Sequence, residues 1–331
     1  MNNSLINKIK KSDFANKMTL IVALVFLIAL FSILNPHYFT MQNMVNILVT
    51  CSLMGFIAIA ETYLIIANQI DLSAGSVAAF SGVFAALLVA SGFNPLLVLI
   101  LTILMGCVIG MINASFINFL KIEPFIATLA SMSIFRGIAY ILCDGKAIPI
   151  NNMGFIHLAT NKIIGKITLP IILLMLAFVV FSYILKKTYF GRSVYVQGGN
   201  PYAARLAGLN PTKTIFKLYI MSGALAALAG ALLAARMNSG QPSACVGLEF
   251  DGVTAAVLGG CAFTGGVGTM LGTFIGMLIL QCFNTGLVMM NVQVFWQNVA
   301  QGSLLIVALA FDLLRKRSAT KKELAEIKAN R

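Results

Sequence analysis

Charge is what this sequence has least of. Only 10% of its 331 residues are Asp, Glu, Lys or Arg, while 59% are hydrophobic. Mean hydropathy is +0.93. A soluble domain carries about a quarter charged residues, so a soluble fold is excluded. Histidine is nearly missing as well: His37 and His157 are the two present, and a His-based metal centre is not expected. The six cysteines, Cys51, Cys107, Cys143, Cys245, Cys261 and Cys282, show no CxxC spacing. Most sit in apolar runs, where Cys packs as a small hydrophobe, so neither a disulfide framework nor a metal site is implied. No Ser/His pairing and no converging carboxylates suggest an intramembrane enzyme.

What remains is a chain of apolar runs. Each is about 20 residues, the length that crosses a bilayer as a helix. The first, MTLIVALVFLIALFSIL (18–34), follows Lys8, Lys10, Lys11 and Lys17 with no small-residue cleavage site after it, and reads as an uncleaved span. Ten spans are expected, at about 18–34, 44–66, 73–91, 95–117, 124–142, 168–185, 214–236, 253–265, 267–290 and 295–314. The eighth is short and glycine-rich. The fold class is therefore all-α and integral to the membrane, a polytopic bundle of about ten helices, with eight as the alternative.

The +13 net charge does not point to nucleic acid, because Lys and Arg gather in three places. These are the N-terminus, the stretch from Lys186 to Lys217, and the tail from Arg315 to Arg331. That is the positive-inside pattern. It puts segment 1–17, loop 186–213 and tail 315–331 in the cytoplasm, around one transmembrane domain at 18–314. The acidic loop 237–252 then falls outside. Gly268, Gly272 and Gly276 recur every fourth residue, as do Gly106 and Gly110. Small residues at that spacing let membrane helices approach closely, although glycine is common in such helices anyway.

Within the long basic loop, NPYAARLAG (200–208) reads as a miniature helix. Asn200 suits the N-cap, Pro201 the first helical position, and Gly208 the stop. Such a helix fits docking into another protein, and equally one that only closes a loop.

Four collinear segments carry a resemblance: IDLSAGSV (70–77), EPFIATLASMSIFRGIAYIL (123–142), GRSVYVQGGNPYAARLAGL (191–209) and AAVLGGCAFTGGVGTMLGTFIGMLIL (255–280). They are similar to segments of the permease subunits of ribose/xylose/galactose-type ABC importers, from about Asn46 to Asp312. The chain departs from the family at Asn68 and Gln69, where two glycines are common, at Tyr202, where Glu is frequent, and at Val267, where a basic residue is usual.

The resemblance implies a non-catalytic transport subunit of a bacterial cytoplasmic (inner) membrane, with no cofactor. GGVGTMLG (265–272) agrees, since it lacks the Lys-Ser/Thr of a phosphate loop. Three partners are implied: a cytoplasmic ATPase on the 200–208 helix, an extracytoplasmic sugar-binding protein, and a second permease copy, identical or related. The ATPase-coupling residues would be Asn200, Pro201, Ala203, Ala204, Arg205 and Gly208.

Two carboxylates stand out. From Met18 to Leu120 the formal charges are Glu61 and Asp71, and a charge in a span usually faces a cavity or partner. Asp71 suits the N-cap of the span that begins near Ser73, with Ser73 as the competing cap; it also suits a contact with sugar. The charge pattern sets it toward the cytoplasmic end of its span. Glu61 and Arg136 are candidates for an ion pair. Ser73, Ser76, Asn113, Thr128 and Ser131 are polar groups at membrane depth, candidates for the path. Glu249 and Asp251 are candidates for contact with the binding protein, or a plain helix N-terminal charge. The rival reading is an ion-coupled secondary transporter, which needs intramembrane ionisable groups and often shows inverted repeats.

Overall fold

A computed structural model describes residues 3–307 and 309–310. The chain runs α1 (Asn3–Leu34), α2 (Met41–Ile66), α3 (Ala74–Ala90), α4 (Pro95–Asn118), α5 (Pro124–Leu142), β1 (Ile148–Pro149), α6 (Met153–Thr160), β2 (Lys162–Ile164) and β3 (Ile167–Thr168). It continues as α7 (Leu169–Lys187), α8 (Tyr189–Gly199), α9 (Pro201–Leu206), α10 (Pro211–Met237), β4 (Ser239–Gly240), α11 (Leu248–Leu258) and α12 (Met270–Met289). A last helix, α13, covers 294–307. Six of these, α2, α4, α5, α7, α10 and α12, are long and apolar enough to cross a membrane; Met18–Leu34 and α3 are shorter apolar helices. The tail 315–331 and the end of the expected tenth span lie outside the described residues.

Local sequence explains where helices begin. Three Asn-Pro pairs start three of them. Asn94 accepts from Leu96 N, Asn200 from Tyr202 N and Ala203 N, and Asn210 from Lys213 N, all at 3.0 Å. In each case the amide oxygen satisfies an otherwise free N–H, and proline follows where its missing N–H costs nothing.

Helices α2 and α10 are the most enclosed of the long spans, while α4, α5 and α7 keep most of their residues facing outward. Exposed Ile100, Leu104 and Val108 on α4 suit contact with lipid. Helix α10 packs between α3 and α4 through small residues. A Cβ on Gly106 would come within 2.5 Å of Ala227 Cβ, and one on Gly110 within 2.8 Å of Ile220 Cα. Such backbone-to-backbone contact is the means by which helices associate where water gives no hydrophobic push.

Three expectations need correction. The eighth span is not a full helix: α11 has 11 residues, which reach roughly 17 Å against the about 30 Å of hydrocarbon. The chain still passes from one end of α10 to the other. At one end β4 pairs with β1, Gly240 opposite Ile148. At the other, Gly266 N donates to the carbonyl of Ile66, the last residue of α2. An extended run, the half-length α11 and a glycine-rich turn cover the distance together. Second, Gly268 precedes α12, so it does not share a helix face with Gly272 and Gly276. Those two do lie on α12, where a Cβ would press into the carbonyls of Ala255 on α11 and of Gly259 just after it. Third, segment 237–252 is not an open outer loop, because its second half folds back among the helices.

The return from α2 is broken in the same way. Ala67, Asn68 and Gln69 close α2 by donating to the carbonyls of Tyr63, Ile65 and Leu64, Asn68 turning with φ +58°, and the chain then stays irregular to Ser73. Helix α3 then begins in fully buried surroundings and runs out to β4, where Gly240 packs on Val83 and Ala86. Irregular backbone at such depth is tolerated only when protein or a wet cavity encloses it.

Candidate functional site

Asp71 sits in the break between α2 and α3, 1% exposed. Its Oδ1 accepts from Ser73 N at 3.0 Å and from Ser73 Oγ at 2.5 Å. Its Oδ2 accepts from Ser222 Oγ of α10 at 2.6 Å. Both carboxylate oxygens are thus satisfied within the protein, as a buried carboxylate requires. The Asp71 side chain organises the turn into α3, although the residue at the cap position is Ser73. Ser222 lies near the middle of α10. Asp71 therefore sits deep in the bundle, at the start of α3, the end of that helix nearer to α8.

The network extends from Ser73. Asn113 Nδ2 of α4 donates to Ser73 Oγ at 2.9 Å, and Ser131 Oγ of α5 donates to Asn113 Oδ1 at 2.5 Å. Tyr219 of α10 donates its hydroxyl to the Ile70 carbonyl at 2.8 Å. One polar chain therefore runs Ser131–Asn113–Ser73–Asp71–Ser222 and ties three helices to the break. A buried, fully connected network of this kind fixes one arrangement of its members.

Other candidates fall elsewhere. Thr128 donates to Pro124 O of its own helix at 2.8 Å. Ser76 Oγ is buried without a hydrogen-bond partner among the described residues. Glu61 is fully buried, and neither carboxylate oxygen has a hydrogen-bond partner there. The expected Glu61–Arg136 pair is not formed. Arg136 Nη1 instead donates to the carbonyls of Pro242 and Ala244, each at 2.6 Å, and so holds the extended run that leads into α11. Glu249 is only 4% exposed. It packs against Gly75 and is not on an open face for a binding protein. Asp251 is partly exposed in the same first turn.

The short helix α9 stands apart from this interior. Asn200 closes α8 and caps α9 at once. Tyr202 and Leu206 are 71% and 74% exposed, while Ala204 is buried. Gly208 ends the turn with φ +74°, a conformation that costs glycine little.

Comparison with known proteins decides the family. Residues 43–309 match the family described as branched-chain amino acid transport system / permease component. The chain is 40% identical over 300 residues to the ribose import permease of Bacillus subtilis (strain 168), covering 90% of this chain and 92% of the relative. It is 35% identical over 301 residues to the L-arabinose ABC transporter permease of Azospirillum brasilense, covering 91% and 88%. It is 33% identical over 303 residues to the D-allose transport system permease of Escherichia coli (strain K12), covering 91% and 93%. No solved structure matches.

The chain belongs to this permease family. It is a multi-pass transmembrane transport component. The polar chain around Asp71 ties the segment between α2 and α3 to α4, α5 and α10. Sequence reading assembled much of its membership, naming Asp71, Ser73, Asn113 and Ser131, but missed Ser222 and Tyr219. The available signal for Ser222 was a lone hydroxyl in the apolar run beside Gly223. For Tyr219 no such signal exists, since a tyrosine in a span usually marks an interface.

Proposed function

We propose that this permease is the membrane-spanning subunit of a bacterial ABC importer for monosaccharides. Two copies, or one copy and a related chain, enclose the path in the cytoplasmic membrane. A separate ATPase drives it by engaging α9, and an extracytoplasmic binding protein delivers the sugar. Termini, α8 and α9 face the cytoplasm, which agrees with the basic residues Lys186, Lys187, Arg192, Arg205, Lys213 and Lys217 around them.

The observation that carries the energy-coupling part is α9 itself. A doubly bonded cap, an N1 proline and a glycine stop define a rigid helix whose Tyr202 and Leu206 lie exposed. Exposed apolar side chains on a preformed helix are what a partner groove takes up. Similarity to ribose, arabinose and allose permeases over about nine-tenths of the chain supports a monosaccharide as cargo.

The test uses the tagged chain purified in detergent from its own cells, beside Arg205→Glu and a deletion of 200–208. Expected is an ATPase that co-purifies with the intact chain and is lost from both variants. Uptake of labelled D-ribose, L-arabinose or D-allose should also disappear when the chain is deleted. If no ATPase accompanies the intact chain and uptake follows an ion gradient alone, the importer reading is wrong. The ion-coupled alternative, for which Glu61 is the natural candidate, would replace it.

A further inference from the structure

The glycine-rich turn 265–268 has no role in the polar network, yet it lies where three segments meet. Gly266 N donates to Ile66 O at 2.8 Å. Gly198, near the end of α8, packs on the same carbonyl so closely that a Cβ there would run into it, and would also lie 2.8 Å from Gly266 N. A Cβ on Gly265 would come within 2.6 Å of Gly198 O. Tyr195, one turn back on α8, donates its hydroxyl to Gly268 O at 2.7 Å. A Cβ on Gly268 would in turn sit 2.7 Å from the Ile66 side chain. The end of α8, the end of α2 and the turn before α12 are thus in direct backbone contact, with no side chain between them to absorb a displacement.

This junction lies between two things that matter. On one side α8 passes into α9 through a single residue, Asn200, which closes the first helix and opens the second. On the other, Ile66 is the last residue of α2, and the break holding Asp71 follows it at once. Packed backbones are far less compressible than side chains on flexible stems. A displacement of α9 therefore reaches the start of the break by a short, stiff route.

We infer that Gly198 and the turn 265–268 form the joint through which α9 moves the Asp71 break, with Gly198 as a positioning residue. The inference rests on the ATP-driven reading above. It makes the glycines necessary for coupling rather than for ATPase capture, because α9 and its cap are untouched at this point.

The experiment compares Gly198→Ala, Tyr195→Phe and Gly199→Ala in the full chain. A Cβ on Gly199 would meet nothing within 4 Å, so that variant controls for glycine loss at the end of α8. Three readouts are taken: ATPase co-purified with the chain, its ATP turnover, and uptake of labelled sugar by the cells. Gly198→Ala is expected to keep the ATPase and its turnover while uptake falls at least tenfold. Tyr195→Phe should lower uptake several-fold with turnover retained, and Gly199→Ala should change nothing. A merely structural role would lower all three readouts together with the amount of protein in both Gly198→Ala and Tyr195→Phe, and that result overturns the inference. So does full uptake in an assembled Gly198→Ala, or equal loss in Gly199→Ala. Should Gly198→Ala fail to assemble, Tyr195→Phe decides, and its undiminished uptake counts against the joint. Absence of any ATPase from the intact chain is a different failure; it removes the importer reading and the joint with it.

Discussion

The carboxylate of Glu249, in the first turn of α11, lies against Gly75, in the first turn of α3. Two helices that begin inside the bundle thus start face to face. They have 17 and 11 residues, and each follows an irregular stretch of chain. The contact exists because residue 75 has no Cβ: one built there would fall on the Glu249 carboxylate and 2.6 Å from the Cys245 carbonyl.

Gly75→Ala should therefore destabilise the fold. The Cys245 carbonyl is backbone and the Glu249 side chain is enclosed, so neither yields cheaply. Overpacking of this kind costs about 1–3 kcal/mol. The expected result is a lower thermal midpoint in detergent or a loss of folded yield. Gly137→Ala on α5, whose Cβ would meet nothing within 4 Å, should behave like the parent. An unchanged midpoint for Gly75→Ala would disprove the close seating of α3 on α11.

The polar chain yields a second expectation. Ser222→Ala leaves Asp71 Oδ2 without its donor, and Asn113→Ala leaves Ser131 Oγ without its acceptor and removes one of the two side-chain bonds of Ser73 Oγ. Each substitution should cost about 1–3 kcal/mol, the penalty for orphaning a buried polar group. Thr128→Val removes only a bond to its own helix and should lie close to neutral. A double-mutant cycle gives the sharper test: Ser222→Ala should cost less in an Asp71→Asn background than alone, as residues that share one bond do not add. Strict additivity would mean that the 2.6 Å contact contributes nothing.

These residues also show how far the sequence reaches. The apolar runs and basic clusters were enough to place most of the long helices, because length and hydropathy are local properties. The Asn200-Pro201 start of α9 was legible for the same reason. The two broken crossings were not. At 253–265 the sequence is as apolar as a span, and only tertiary contact with α2 and α12 decides that the helix runs from Leu248 to Leu258. Charge parity placed Glu249 outside, since parity counts crossings and is blind to a segment that folds back. Four collinear motifs revealed the family, but no motif names the partner of a side chain. That is why Glu61 was assigned to Arg136, whose guanidinium is taken by two carbonyls instead.

Arg136 itself supplies a third test. Its Nη1 holds Pro242 O and Ala244 O, so it pins the extended run that enters α11. Arg136→Ala should loosen that run and lower the thermal midpoint. Arg136→Lys should recover only part of the loss, because its shorter side chain ends in a strongly hydrated ammonium on a flexible stem rather than in a preoriented planar group. Glu61→Arg combined with Arg136→Glu should be no better than the worse single variant. Recovery by the swapped pair would show that the two residues do meet in some working state.

The cap of α9 allows shape to be separated from chemistry. Asn200 Oδ1 accepts from both Tyr202 N and Ala203 N, and Asn200→Ala removes both bonds. Loss of such a cap costs about 1 kcal/mol of helix stability. The helix is short and largely exposed, so the thermal midpoint of the whole bundle should scarcely move. The loss should appear in ATPase capture, because a partner that takes up a preformed helix must order a frayed one first. Asn200→Asp keeps an oxygen acceptor at the same place and is as good a cap, so it should restore capture. Titrating the co-purified ATPase against the three chains makes the comparison. Capture that follows Asn and Asp against Ala identifies the ordered helix as what the partner recognises. If Asp fails as fully as Ala, the asparagine amide itself touches the partner, and the cap is incidental to its recognition.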